Sequence, residues 1–150
     1  MRSDHIATAS TVIEAPAGAV WKALVTPTDI KQYMFGTTVD SQWKVGSAIT
    51  WSGEWKGKPY QDKGKILTIV PQQTLSYSHF SPLSGQPDRP ENYHTVTISL
   101  VALDAQTRVT LTQDGNATAD EQKHAEENWS TMLKGLKEHV EKARPRAGSK

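Results

Sequence analysis

The chain has 150 residues, of which 36% are hydrophobic and 22% charged; 17 basic side chains stand against 16 acidic ones, and cysteine is absent. That length suits one domain with its own core, and the near-neutral balance argues against a general electrostatic hold on nucleic acid or anionic membrane. Disulfides, thiolate nucleophiles and thiolate-ligated metals are excluded.

Residues 1–10 are too polar for the core of a secretory signal. No apolar run is long enough to span a bilayer, so a cytoplasmic location without membrane insertion is expected. Residues 5–14, rich in Thr, Val and Ile, predict a first strand. Pro16 then suits the first turn of a helix, and Val20, Trp21, Leu24 and Val25 follow at helical spacing. Pro27 is expected to end that helix and Thr28 to cap a second short one, with Ile30, Tyr33 and Met34 on one face.

From Gly36 to Gly115 the period changes to two. Strands are predicted at 37–40, 49–55, 64–70, 75–80, 93–103 and 108–113. Short turns such as Lys44-Val45-Gly46-Ser47, Lys56-Gly57-Lys58-Pro59 and Asp104-Ala105-Gln106 favour antiparallel neighbours. The segment Ser81–Asn92 is longer and rich in proline, either a lid or a stiff surface excursion. Thr118 and Glu121 have the spacing of a capping box. Behind them Ala125, Trp129, Met132, Leu133, Leu136 and Val140 fall on one face of a helix over 119–143, roughly 35 Å long at the helical rise. Pro145 follows, and the basic tail 144–150 is expected to be disordered. The order predicts an α+β domain over 1–143: a curved antiparallel sheet of six to seven strands wrapped around a long C-terminal helix, with two short helices after the first strand.

Several segments, taken in order, carry a resemblance: Ile13-Glu14-Ala15-Pro16 with Val20-Trp21-Lys22-Ala23-Leu24, then Gly46, then Gly64-Lys65-Ile66-Leu67 with Pro71 and Leu75. Thr107-Arg108-Val109-Thr110-Leu111-Thr112 and Trp129 through Leu136-Lys137 close the series. It resembles the SRPBCC superfamily (START and Bet v 1-like proteins), and within it the group named after the activator of Hsp90 ATPase. The resemblance implies a helix-grip fold with a cavity for an apolar small molecule. It does not carry Hsp90 stimulation over, because the additional N-terminal domain and motif of the eukaryotic co-chaperone are not seen in these residues.

Strand alternation selects the side chains expected to line such a cavity. His94 shares the phase of Val96, Ile98 and Leu100; Tyr77 and His79 share that of Leu75; Gln113 shares that of Val109 and Leu111. Tyr77, His79, His94 and Gln113 are thus expected to face one region as ligand contacts, the alternative being strand-end positions where polar groups simply meet water. Trp51 joins them from its strand, and Trp129, Met132 and Leu133 from the gripping helix, although core packing is the favoured account of Trp129. Tyr33, Met34 and Phe35 are candidates for the mouth, and Trp55 for the surface end of a hairpin. No carboxylate is expected in phase with either histidine, so nothing visible would orient the ring for acid–base work.

Neither metal nor cofactor is expected: the five histidines lack the close pairing of zinc sites, and glycine-rich phosphate loops are missing. Lys56, Lys58, Lys63 and Lys65 read as a solvated hairpin edge. The leading expectation is binding of an apolar or aromatic small molecule between sheet and helix. A cyclase- or hydrolase-type enzyme using His79 or His94, and a protein-interaction module with a vestigial cavity, are the alternatives. The oligomeric state stays open, a dimer included.

Overall fold

The computed structural model describes residues 5–34, 36–55, 57–81, 87–89, 92–116 and 118–143. In chain order its elements are β1 (Ala7–Ile13), α1 (Ala17–Val25), α2 (Pro27–Tyr33), β2 (Thr38–Ser41) and β3 (Ala48–Trp55). There follow β4 (Lys58–Val70), β5 (Thr74–His79), β6 (His94–Leu103), β7 (Gln106–Gln113) and α3 (Ala119–Ala143). The strands form one antiparallel sheet in the order β1-β7-β6-β5-β4-β3-β2. Strands β2 to β7 are a meander, and β1 joins it beside β7, with Ile13 opposite Thr107 and Ala7 opposite Gln113. This is the α+β helix-grip arrangement, with a curved sheet held around α3.

The alternation of β1 explains where α3 lies. Ala7, Ala9 and Ile13 point inward and are buried, and the two alanines leave room for a helix to come close. α3 packs chiefly along β1 and is tied to its backbone by polar side chains. Thr8 N–H donates to Glu126 Oε2 at 3.0 Å and Glu14 N–H to Glu141 Oε2 at 2.8 Å. Gln122 Nε2 donates to the Ile6 carbonyl at 3.0 Å and Lys137 Nζ to the Val12 carbonyl at 2.9 Å. On the inner face of α3, Met132, Leu133, Leu136 and Val140 are buried against the sheet, each contributing roughly 1.5–3 kcal/mol. At its start Glu121 N–H donates to Thr118 Oγ1 at 3.1 Å, the forward arm of the predicted capping box.

Two boundaries differ from the sequence reading. Pro27 does not merely end α1; it is the first residue of α2, with Thr26 rather than Thr28 at the cap position. A proline is tolerated there because its missing N–H has no helical partner. β4 begins at Lys58 and not at Gly64, since Trp55 at the end of β3 already pairs with Lys58. Pro59 enters the strand at a stretch that, among the described residues, pairs with β3 alone, so the lost N–H breaks no second ladder.

The loop after β5 is described only in part. Asp88 is held by Lys63 and by the Tyr93 hydroxyl, which donates to Asp88 Oδ1 at 2.6 Å. Phe80 is buried and stacks on Tyr93 with ring centres 5.2 Å apart. Phe35, the Trp55 side chain and the tail 144–150, named above from the sequence, lie outside the described residues.

Candidate functional site

Register brings the polar candidates onto neighbouring rows of the inner face. His79 pairs with His94, and Tyr77 with Val96, which in turn pairs with Gln113. Side chains directly opposite one another stand roughly 5 Å apart at Cβ. The two histidine rings nevertheless turn opposite ways, and the candidates divide into two groups.

One group opens on a cleft of about 420 Å³ between the N-terminal half of α3, the ends of β6 and β7, and Met34. Met34, Ala125, Trp129 and Met132 give it an apolar wall, while His94, Gln113 and Asn116 supply polar groups inside; Glu121, His124 and Asn128 are exposed at its rim. A cleft of this size is within the range used for small molecules. His94 Nδ1 stands 2.8 Å from the Asp114 carbonyl. A carbonyl only accepts, so Nδ1 carries a proton and the neutral ring keeps its lone pair on Nε2. The Trp129 indole N–H donates to Gln113 Oε1, which fixes the amide the other way round, with its NH₂ left over. The bend behind them is secured by Asn116, whose Nδ2 donates to the carbonyls of His5 and Gln113. Gly115 permits the arrangement: its φ is +75°, and a Cβ there would stand 2.8 Å from His94 Nδ1.

The other group lies toward β3 and β4. His79 Nε2 is 2.9 Å from Asp62 Oδ2, with 26% of the histidine side chain and 16% of the aspartate exposed. The His79 ring meets Trp51 edge-on at 5.1 Å between centres, and Tyr77 leans on the same indole at the same distance. Asp62 Oδ1 is buried and, among the described residues, has no hydrogen-bond partner. The expectation that no carboxylate accompanies either histidine is therefore corrected. Asp62 sits in the half of β4 that the sequence reading took for turn and loop, directly opposite Trp51.

Deep under the helix there is little room. The space bordered by Leu24, Tyr33, Trp51, Tyr77, Ile98 and Met132 is about 20 Å³, enough for one water and no more. Burial pushes the Tyr33 and Tyr77 phenols well above the ordinary tyrosine value, and the nearby Tyr77 and Asp29 raise Tyr33 further. The Tyr33 hydroxyl donates to the Ala23 carbonyl at 3.0 Å. Of the predicted lining, His94, Gln113, Trp129 and Met132 border the open cleft, Trp51, Tyr77 and His79 pack together beyond it, and Leu133 is core at 1% exposure. Met132 borders both spaces. Among the described residues no three His, Asp or Glu side chains are placed to share a metal ion, and no helix is long and apolar enough to cross a membrane.

The family model described as "Activator of Hsp90 ATPase homolog 1-like protein" matches residues 14–141. The chain belongs to this family. Its fold is that of the SRPBCC superfamily, as the ordered motifs implied. The solution structure of ChR145 from Cytophaga hutchinsonii is 60% identical, with a TM-score of 0.83 over 95% of this chain and 97% of that one. The Aha1 dimer from Colwellia psychrerythraea is 21% identical, with a TM-score of 0.71 over 93% of this chain and 98% of that one. DynU16, a putative protein in the dynemicin biosynthetic locus, is 15% identical, with a TM-score of 0.77 over 95% of this chain and 49% of that one. The last two share the fold. No curated protein matches the chain.

For this member of the Hsp90-activator-like family, sequence reasoning missed Asp62, Asn116, Ala125 and the rim residues of α3. Tyr60 and Asp62 keep the period-two phase of Ile66, and that was the available signal. A second depression, about 500 Å³, lies on the outer face of the sheet among Lys63, Lys65, Leu67, Ser78 and Tyr93.

Proposed function

We propose that the protein binds a small molecule with an apolar body in the open cleft beside the N-terminal half of α3. The observation behind this is the cleft itself: a Trp129–Met132–Met34 wall next to two polar side chains, His94 and Gln113, whose hydrogen-bonding roles are already set. The guest enters from the rim and lies against the indole; the core beneath it is filled. Titration with 1-anilinonaphthalene-8-sulfonate tests this. Met132→Trp should weaken binding by about tenfold or more, on the order of 1.4 kcal/mol, with the far-ultraviolet spectrum unchanged. Undiminished binding to that folded variant refutes the assignment.

The Asp62–His79 pair favours one further reading, acid–base assistance on a bound guest. A carboxylate hydrogen-bonded to a partly exposed imidazole holds the ring in place and fixes which nitrogen carries the proton. With Nε2–H donated to Asp62, the other ring nitrogen would take a proton from an attacking water. Hydrolysis of 4-nitrophenyl acetate above background should then fall in both His79→Ala and Asp62→Ala. Equal rates in the wild type and both variants remove this reading.

A further inference from the structure

The cleft does more than offer an apolar wall. Gln113 pairs with Val96, and His94 lies two residues before Val96 on the same face, so the two side chains are diagonal neighbours. Each has one hydrogen-bonding site committed to the protein. His94 donates its Nδ1 proton to the Asp114 carbonyl, and Gln113 Oε1 accepts from the Trp129 indole N–H. Among the described residues, neither His94 Nε2 nor the Gln113 amide nitrogen has a partner. What remains for a guest is an acceptor beside a donor. Neither can swap roles freely: a flipped Gln113 would set NH₂ against the indole N–H, and a shifted His94 tautomer would set a lone pair against a carbonyl.

Resting on the cleft-binding reading, we infer that the guest carries a complementary edge, a carbonyl oxygen next to an N–H, as in a planar lactam or primary carboxamide. The carbonyl takes the Gln113 N–H, and the ligand N–H goes to His94 Nε2. Its ring lies along Trp129, and Met132 closes the inner end. A molecule with two acceptors would meet the His94 lone pair, and one with two donors the Gln113 amide hydrogens. Selection of this kind is strong, because a partner left unsatisfied in a half-buried site loses its hydration without compensation.

The probes are 2-quinolinone and its N-methyl derivative, which share shape and carbonyl and differ in the one N–H. Calorimetric titration should find 2-quinolinone bound about tenfold or more tightly than the N-methyl compound. Gln113→Glu keeps an oxygen for Trp129 and replaces the free amide nitrogen with an acceptor. It should weaken 2-quinolinone to the level of its N-methyl derivative, while the far-ultraviolet circular dichroism spectrum stays that of the wild type. His94→Phe should also erase the preference. Equal affinities in the wild type, or a preference that survives both substitutions, overturn the donor–acceptor edge and leave the cleft standing if the dye still binds. Should neither lactam nor dye bind, both readings fall.

Discussion

Gly64→Ala should unfold the protein far more readily than its size suggests. A Cβ at Gly64 would stand 1.7 Å from the Ser78 carbonyl oxygen, half the 3.4 Å at which ordinary contact begins. The obstacle is backbone of the neighbouring strand and cannot rotate away. β4 and β5 must part there, and the bonds on either side go with them. These are Lys63 N–H to the Phe80 carbonyl at 3.0 Å, Phe80 N–H to the Lys63 carbonyl at 2.8 Å, and Lys65 N–H to Ser78 Oγ at 3.0 Å. At roughly 0.5–1.5 kcal/mol net for each bond, the loss is on the order of 2–4 kcal/mol. A domain held by about 5–15 kcal/mol feels that strongly. Urea unfolding followed by tryptophan fluorescence and circular dichroism measures it. Gly18→Ala is the control, because its Cβ would approach only the Gln72 side chain, at 3.4 Å. In a helix that exchange is expected to be neutral or to stabilise by up to about 1 kcal/mol. If Gly64→Ala lies within about 0.5 kcal/mol of the wild type, below the usual worth of even one such bond, the reasoning from close strand approach is wrong.

Thr107→Val keeps the shape of a fully buried side chain but removes the hydroxyl that donates to the Ala15 carbonyl at 2.8 Å. The orphaned carbonyl should cost roughly 1–3 kcal/mol in the same urea assay. Tyr33 and Tyr77 have folded-state values raised above 10.0. Their stabilising contribution is complete below that unfolded value and is lost as pH climbs from it toward the raised one, at about 1.4 kcal/mol per pH unit for each phenol. Absorbance at 295 nm should show these phenols ionising together with unfolding, and a smooth titration in the folded protein would contradict their burial. Gly115→Ala meets both a φ of +75° and the His94 ring. It should lose about 1–2 kcal/mol from the left-handed backbone alone, and the His94 ring resonances should shift in nuclear magnetic resonance spectra.

The sheet and helix were legible because their periods are clean. Val96, Ile98 and Leu100 alternate without interruption, and Met132, Leu133, Leu136 and Val140 hold one helical face. The same alternation put His79, His94 and Gln113 on one face of adjacent strands. Which way each ring turns was not legible, because that depends on partners distant in the chain: Asp62 for His79, the Asp114 carbonyl for His94. Asp62 itself escaped notice because Lys56-Gly57-Lys58-Pro59 looks like a four-residue turn. Trp55 already pairs with Lys58, and the proline is accommodated where, among the described residues, β4 has a neighbour on one side. The small volume of the interior was hidden for another reason. Trp51 and Tyr77 have the character of cavity walls in the sequence, yet their rings lean together at 5.1 Å and fill the space they were expected to border. Packing of that kind follows from how far the sheet curls, which no local pattern records.

The bonds that α3 makes to β1 bear on how two such molecules meet. A terminal strand normally offers its unpaired N–H and C=O groups as a template for another chain. Here Glu126, Glu141, Gln122 and Lys137 already occupy Thr8, Glu14, Ile6 and Val12. A foreign strand would have to displace polar and charged side chains anchored on a helix of about seven turns before its first ladder bond could form. The opposite margin is β2, only four residues long. Among the described residues, neither margin of the sheet therefore presents a long, unopposed ladder to another chain.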